Sequence, residues 1–192
     1  MPRRMWAGGR VDFVAPIRIG SALVRETRLI RREQKQGKSG DLLFETLEHL
    51  ISANGQTAIR EEQDLVYRGI ATERTPPSEP PDANAIPADR VIMPDETMLF
   101  RYSALTFNAH RIHYDLPYAQ AMEGYPSLVV QGPLIATLLL DAWLEQSGEQ
   151  PQHFSFRAER PAFCNDPLSL HIEDGLRAMR PDGFTAMSAE VR

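Results

Sequence analysis

A short polar segment of the chain concentrates side chains that can move protons. It holds two imidazoles and a carboxamide, on His110, His113 and Asn108, and the carboxylate of Asp115 follows at once. A histidine titrates near neutral pH, so it can take a proton from water and later return one to carbon. This composition predicts general acid–base chemistry between residues 107 and 115.

A possible oxyanion site follows a little further along, where Gly132 and Pro133 open a long apolar segment. The first backbone N–H groups of a helix have no partner inside the helix, and they carry its positive end. Proline fits the first helical turn, and glycine allows close approach to the backbone. Proton-transfer groups beside such donors predict chemistry on a carbonyl or thioester, although Gly132 has packing as an alternative role.

The other polar side chains of this region also have structural alternatives. Asn108 is a common turn former, and His110 can serve only to hydrogen-bond within the loop. Asp115 precedes Leu116 and Pro117, an arrangement that favours capping a helical turn. Even His113 has the alternative of a half-buried structural histidine.

The elements that must position these groups include one helix, predicted to begin at Gly132-Pro133 and to end at Gly148. Its surface is apolar except for a stripe formed by Thr137, Asp141 and Glu145. A helix that is apolar nearly all round must be enclosed by other structure.

The remaining elements are predicted as strands of an antiparallel sheet around that helix, an α+β fold. The turn signals lie at 35–41 and at Asn54-Gly55, the latter a strong hairpin signal. Residues 42–52 also fit a helical stripe, but the flanking hairpin signals favour a strand. The predicted strands are Arg25–Arg32, Leu42–Ser52, Thr57–Arg68, Leu99–Ser103, His153–Glu159, Leu168–Glu173 and Phe184–Val191.

A proline-rich stretch at 75–96 divides the chain, and proline both fixes φ and removes a donor, so we interpret this stretch as a linker. The predicted domains are therefore 1–74, the linker 75–96, and 97–192.

The composition excludes several classes of protein. The formal net charge of −5 and the lack of aromatic residues among the arginines argue against a nucleic-acid partner. The single cysteine, Cys164, cannot form an intrachain disulfide and is expected to be inert. No zinc-spaced cluster, export signal or membrane-length apolar run is present. We expect a cytoplasmic protein without a metal or a membrane partner.

The segment from Asn108 to Ala119 resembles the signature loop of MaoC-like, type 2 enoyl-CoA hydratases, which reads Asp-x-Asn-Pro-(Leu/Ile)-His. The family's histidine falls on His113, its catalytic aspartate on Asn108 and its asparagine on His110. Arg111 replaces the proline. The loop with these replacements is similar to that of one branch of the family, the mesaconyl-CoA and itaconyl-CoA hydratases and 3-hydroxyacyl-thioester dehydratases. The segment 61–68 resembles the last strand of the N-terminal repeat in the same branch.

The resemblance implies a double hotdog, in which each sheet wraps around a helix, with an incomplete N-terminal repeat at 1–74 and the hydratase loop in the C-terminal repeat. It implies a hydro-lyase acting on an acyl-CoA thioester, with no cofactor besides the CoA of the substrate, and a homodimer. Asn108 cannot take a proton as aspartate would, so it is expected to orient the water through its carbonyl. The basic role would pass to His113, to His110, or to Asp115 acting on a histidine.

Four further side chains are expected to contact the substrate. The alternative for the two arginines among them is pairing with acidic side chains at the surface. The four side chains are those of Gln131, Tyr114, Arg157 and Arg160.

Two other functions remain as alternatives to the hydratase. A hotdog thioesterase would use a carboxylate on the central helix, for which Asp141 or Glu145 is placed. A non-catalytic acyl-CoA-binding subunit would follow from loss of the catalytic aspartate at Asn108.

Overall fold

A computed structural model describes residues 3–37, 40–69, 87–173 and 175–192 of the chain. Its residues cluster into two compact units. The first comprises 1–78, 149–157 and 190–192, and the second comprises 79–148 and 158–189. The predicted sequential division into 1–74 and 97–192 did not anticipate that two C-terminal segments group with the first unit.

The first unit is an antiparallel sheet in the order β2-β3-β4-β1-β6. The strands are β1 (Arg3–Phe13), β2 (Leu23–Gly37), β3 (Gly40–Ala53), β4 (Gln56–Arg68) and β6 (His153–Ala158). The strand prediction for 42–52 is confirmed, and Asn54 and Gly55 form the hairpin turn with φ of 51° and 84°.

The strand β1 was not predicted, because its residues lack a clear alternation of apolar and polar side chains. It forms through pairing with β4 and β6, which are distant in sequence. At Gly8 the neighbouring strand comes so close that an added Cβ would lie 2.6 Å from the carbonyl oxygen of Phe156. Glycine is therefore required there.

The second unit contains an antiparallel sheet in the order β5-β7-β8-β9 together with the helices. The strands are β5 (Arg90–Ile92), β7 (Leu168–His171), β8 (Arg177–Met179) and β9 (Thr185–Val191), whose last residues belong to the first unit. The helices are α1 (Glu96–Thr106), α2 (Leu116–Ala121) and α3 (Gly132–Ser147).

The helix α3 confirms the prediction for the central helix. Pro133 lies in its first turn, and Gly148 ends it in the left-handed region with φ of 66°. One side of α3 is buried in the second unit and contacts β8. Its buried side chains are Leu134, Ile135, Ala136, Leu139 and Ala142. The polar stripe faces Arg90, which forms ion pairs of 3.1 Å with both Asp141 and Glu145.

The predicted strand Leu99–Ser103 is wrong, since these residues lie within α1. The side chain of Asp95 caps this helix by accepting a hydrogen bond of 2.7 Å from the N–H of Met98. The cap, together with burial of Leu99, outweighs the strand-like composition of the window. The predicted linker lies mostly outside the described residues, and its described end contains β5.

Candidate active site

The polar loop is ordered by hydrogen bonds with its neighbours. The helix α1 ends with Phe107 in the left-handed region, at φ of 53°, and the N–H of Asn108 donates to the carbonyl of Ser103 at 2.9 Å. The side-chain oxygen of Asn108 accepts from the N–H of His110 at 3.1 Å. Asn108 therefore forms the turn that the sequence left open, and its side-chain oxygen keeps a second lone pair, so its orientation of a water stays a prediction.

His113 lies at the end of a short 3₁₀ turn, Arg111–His113, and its side chain is 7% exposed. Its Nδ1 lies 2.7 Å from the carbonyl oxygen of Val129, and the N–H of Val129 donates in turn to the carbonyl of Ile112 at 2.9 Å. Because a carbonyl can only accept, Nδ1 carries the proton and donates it. The lone pair of the imidazole therefore resides on Nε2.

Burial lowers the pKa of His113 to about 4. The hydrogen bond to Val129 acts in the opposite direction, and the charge of His110 lowers the pKa further. Burial dominates because an imidazolium loses more hydration than the single carbonyl returns. The imidazole is thus neutral at pH 7, in the form that accepts a proton.

His110 is exposed and meets the other imidazole edge-on. The two ring centroids are 5.5 Å apart, and the planes are inclined by 87°. The two histidines proposed from the sequence therefore lie together, one buried and one accessible to solvent. In this arrangement His113 is a proton acceptor shielded from water, and His110 can exchange protons with the solvent.

The start of α3 is joined directly to the carbonyl that holds His113. Val129 and Gly132 are separated by two residues, and the N–H of Val130 is anchored on the carbonyl of Ala162 at 2.9 Å. The N-cap residue of α3 makes no side-chain cap. Among the described residues, no acceptor meets the N–H of Gly132, which leaves this donor for a ligand.

An apolar cluster fixes the loop against the same segment. It consists of Ile112, Ala119, Val129 and Phe163. Residues 128–130 also hydrogen-bond to 162–164, so the two sides of the site share one rigid support.

Asp115 has a structural position. One carboxylate oxygen caps α2 by accepting from the N–H of Tyr118 at 3.0 Å, and the other pairs with Arg111 at 2.6 Å. The ion pair and the cap hold the pKa of this carboxyl below its usual value. Both oxygens are occupied by these partners, which corresponds to the capping role that the sequence left open.

The expected substrate contacts are scattered. Tyr114 is exposed and donates its hydroxyl to the carbonyl of Ala109. The guanidinium of Arg160 stacks on Phe184 at 4.1 Å, whereas Arg157 lines a cavity of about 290 Å³ in the first unit. The side chain of Gln131 is fully buried and directed to α1 rather than to a surface.

Other reactive groups do not form a competing centre. The thiol of Cys164 is buried, and burial raises its pKa to about 11, so it stays protonated as expected. Within the described part of the chain, no three His, Cys, Asp or Glu side chains are grouped as a metal would need. No helix in that part has the length and apolar character of a membrane span.

A family model described as "Hydroxyacyl-thioester dehydratase type 2" matches residues 1–164. The chain belongs to this family. Its homologues are hydro-lyases, and the resemblance of the loop to that of MaoC-like hydratases is confirmed.

A curated relative of this family member is the mesaconyl-C(4)-CoA hydratase of Chloroflexus aurantiacus. The two are 46% identical over 198 aligned positions, which cover 99% of this chain and 70% of the relative.

Solved structures confirm the hotdog fold of the family member. HtdX of Mycobacterium tuberculosis superimposes with a TM-score of 0.75 at 19% identity, covering 98% of this chain and 76% of HtdX. A second M. tuberculosis protein, described as having a double hotdog fold, matches with a TM-score of 0.65 at 13% identity and covers 97% of this chain and 73% of its own.

Proposed function

We propose that this chain adds water to, or removes it from, the C=C bond of a short dicarboxylic enoyl-CoA such as mesaconyl-CoA or itaconyl-CoA. The observation that carries the proposal is the buried, neutral His113, whose Nδ1 is tied to the segment that opens α3. A proton acceptor and an unoccupied backbone donor then belong to one rigid unit.

In the proposed hydration, Nε2 of His113 takes a proton from water as the water oxygen bonds to Cβ of the substrate. The π electrons of the C=C bond move towards the thioester, and its oxygen gains negative charge. The N–H of Gly132 donates to that oxygen, and the positive end of α3 adds to the stabilisation. Cα then takes a proton from the imidazolium, which restores the thioester carbonyl.

The lowered pKa of His113 keeps the imidazole neutral and favours the return of the proton to carbon, and it makes Nε2 a weaker base than a solvated imidazole. The neutral imidazole is present at every pH above about 4, so no activity is lost to a protonated base at neutral pH. Once it has taken a proton, the buried imidazolium is a stronger acid than a solvated one, and it returns the proton readily. His110 is proposed to transfer protons between His113 and the solvent.

The dicarboxylic substrate class is supported by the identity of 46% to the mesaconyl-C(4)-CoA hydratase. A panel of crotonyl-, mesaconyl-, itaconyl- and long-chain enoyl-CoA, followed by loss of the enoyl-thioester absorbance, tests it. We expect kcat/KM for a dicarboxylic substrate to exceed that for crotonyl-CoA by at least about tenfold, since a site that pairs a polar group rejects analogues lacking it. A long-chain enoyl-CoA as the best substrate would contradict this assignment.

The thioesterase alternative is weakened by the ion pairs of α3. Both carboxylates that could activate a hydrolytic water, on Asp141 and Glu145, pair with Arg90. The same panel assayed with a thiol reagent separates the reactions, because hydration leaves the thioester intact. The non-catalytic alternative predicts binding of CoA thioesters without any loss of absorbance.

The proposal also includes a homodimer and a reaction without a metal. Analytical ultracentrifugation should give twice the mass of the chain, and dialysis against a chelator should leave turnover unchanged. A monomer, or activity restored only by added metal, would remove the corresponding part of the proposal.

A further inference from the structure

The side chain of Gln131 links the start of α3 to the middle of α1. Its Nε2 donates to the carbonyl oxygen of Leu99 and to Oγ of Ser103, each at 2.9 Å. The residue is 0% exposed, and Leu99 is buried as well. The hydrogen bond to Leu99 therefore lies in the interior, and the one to Ser103 is partly buried.

Gln131 is also the N-cap residue of α3, with φ of −63° and ψ of 129°, yet its side chain does not cap the helix. A Ser, Asp or Asn at an N-cap normally bonds to the N–H of the second or third residue of its own helix. Here the longer amide reaches α1 instead. The N–H groups of the first turn of α3 thus keep their capacity to bind a ligand.

The bond to Ser103 reaches the polar loop through a single residue. Oγ of Ser103 accepts from Gln131, and the backbone carbonyl of the same serine accepts from the N–H of Asn108. Since Gly132 follows Gln131 directly, one side chain connects the proposed oxyanion donor with the amide of Asn108. Val129, two residues before Gln131, connects the same segment to His113.

The buried amide of Gln131 is less favourable than an apolar side chain that only fills the same space. Oε1 of Gln131 is buried, and none of the described residues donates to it. An unsatisfied buried acceptor is destabilising, so an apolar residue of the same length would pack more favourably. The two donated hydrogen bonds are the feature that such a residue would lose.

We propose that Gln131 is a positioning residue, whose side-chain amide holds Ser103, and through it Asn108, in place relative to the uncapped first turn of α3. This inference rests on the proposed function for its catalytic consequence. It differs from a role in substrate binding, because the amide acts through Ser103 and does not touch the thioester.

The test uses Gln131→Met, which keeps the length of the side chain without its donors, and Ser103→Ala, which removes one acceptor. Both should lower kcat about tenfold to a hundredfold, because a displacement of about 1 Å of the Gly132 N–H, which follows Gln131 directly, has that effect, with KM changed less than about twofold. Ser103→Thr keeps the hydroxyl acceptor and should have the kcat of the wild type. The double variant Gln131→Met/Ser103→Ala should be no slower than the slower single variant.

Tyr102→Phe is the matched control, because Tyr102 lies on α1 next to Ser103 and its hydroxyl interacts with Thr137 of α3. It should leave kcat unchanged. If it lowers kcat as much as Ser103→Ala does, the effect belongs to general packing of α1 on α3 and the inference is overturned. Wild-type kcat in both Gln131→Met and Ser103→Ala would also overturn it.

Amide hydrogen exchange gives a readout that does not depend on turnover. The N–H of Asn108 should exchange faster in Gln131→Met and Ser103→Ala than in wild type, and at the wild-type rate in Tyr102→Phe. Unchanged exchange in the first two variants would overturn the inference. If wild-type protein turns over no thioester of the panel, the proposed function fails, and exchange alone decides the role of Gln131.

Discussion

The imidazole of His113 is held by the backbone carbonyl of Val129 at 2.7 Å, and Val129 belongs to the segment that leads into α3. This one hydrogen bond fixes the tautomer, because a carbonyl accepts only from a protonated Nδ1. It also ties the proton acceptor to the first turn of the helix. The buried side chain and the helix start are consequently held by the same segment of backbone.

The pH dependence of the reaction should report the lowered pKa of His113. Since the neutral imidazole is the active form, kcat/KM should stay level from neutral pH downwards and fall only as the pH approaches about 4. An unperturbed histidine would produce this fall near 6.5. A pH–rate profile with its acid limb near 6.5 would show that another group is the base.

Folding stability should depend on pH through the same side chain. The unfolded chain binds a proton at His113 below about 6.5, whereas the folded chain resists it down to about 4, so stability is lost as the pH falls between these values. The full loss from this residue corresponds to about 3 kcal/mol. Urea unfolding at pH 7 and pH 4.5 should show a smaller difference for His113→Asn, which cannot titrate. An identical difference in the two proteins would contradict the assigned pKa.

Replacement of Gly132 by proline should isolate the contribution of its N–H group. The preceding residue, Gln131, has φ of −63° and ψ of 129°, which is the conformation favoured before proline, and the first helical turn tolerates a second proline. Loss of one oxyanion donor lowers kcat about a hundredfold to a thousandfold.

Gly132→Ala is the control for this change, since it keeps the N–H and adds only a methyl group. We expect its kcat to lie well above that of Gly132→Pro, and the gap measures the donor. Equal rates for the two variants would assign the effect of proline to steric bulk alone.

Asp115 should affect stability more than turnover. Asp115→Asn keeps an oxygen that can accept from the N–H of Tyr118, so kcat should stay within about threefold of wild type. Asp115→Ala loses the cap of α2 and should lower the free energy of unfolding by about 1 kcal/mol. A hundredfold loss of kcat in the asparagine variant would instead indicate that the carboxylate takes part in proton transfer.

The central helix and the strands β2, β3 and β4 of the first unit could be predicted because their signals are local, whereas β1 could not. Gly132 and Pro133 mark the start of α3, Gly148 marks its end, and Asn54-Gly55 defines a hairpin by its own backbone preferences. His113 could be singled out as a candidate from its neighbours in the sequence.

The rest depends on contacts between residues that are distant in the chain. The sequence predicts a strand at Leu99–Ser103 within α1, although Asp95 before Glu96 is a helix-start signal that identifies the helix. The burial that lowers the pKa of His113 arises from tertiary packing, and no local pattern encodes it. The bonds of Gln131 to Leu99 and Ser103 span 32 and 28 residues, so the sequence suggested a substrate contact where the structure has an internal link.

The most direct test of the account compares wild-type protein with His113→Asn for loss of the enoyl-thioester absorbance of mesaconyl-CoA. Asparagine can still donate to the carbonyl of Val129, but it has no basic nitrogen at the position of Nε2. We predict hydration by the wild type and a rate lower by at least about a hundredfold in the folded variant. Hydration at the wild-type rate by His113→Asn would contradict it.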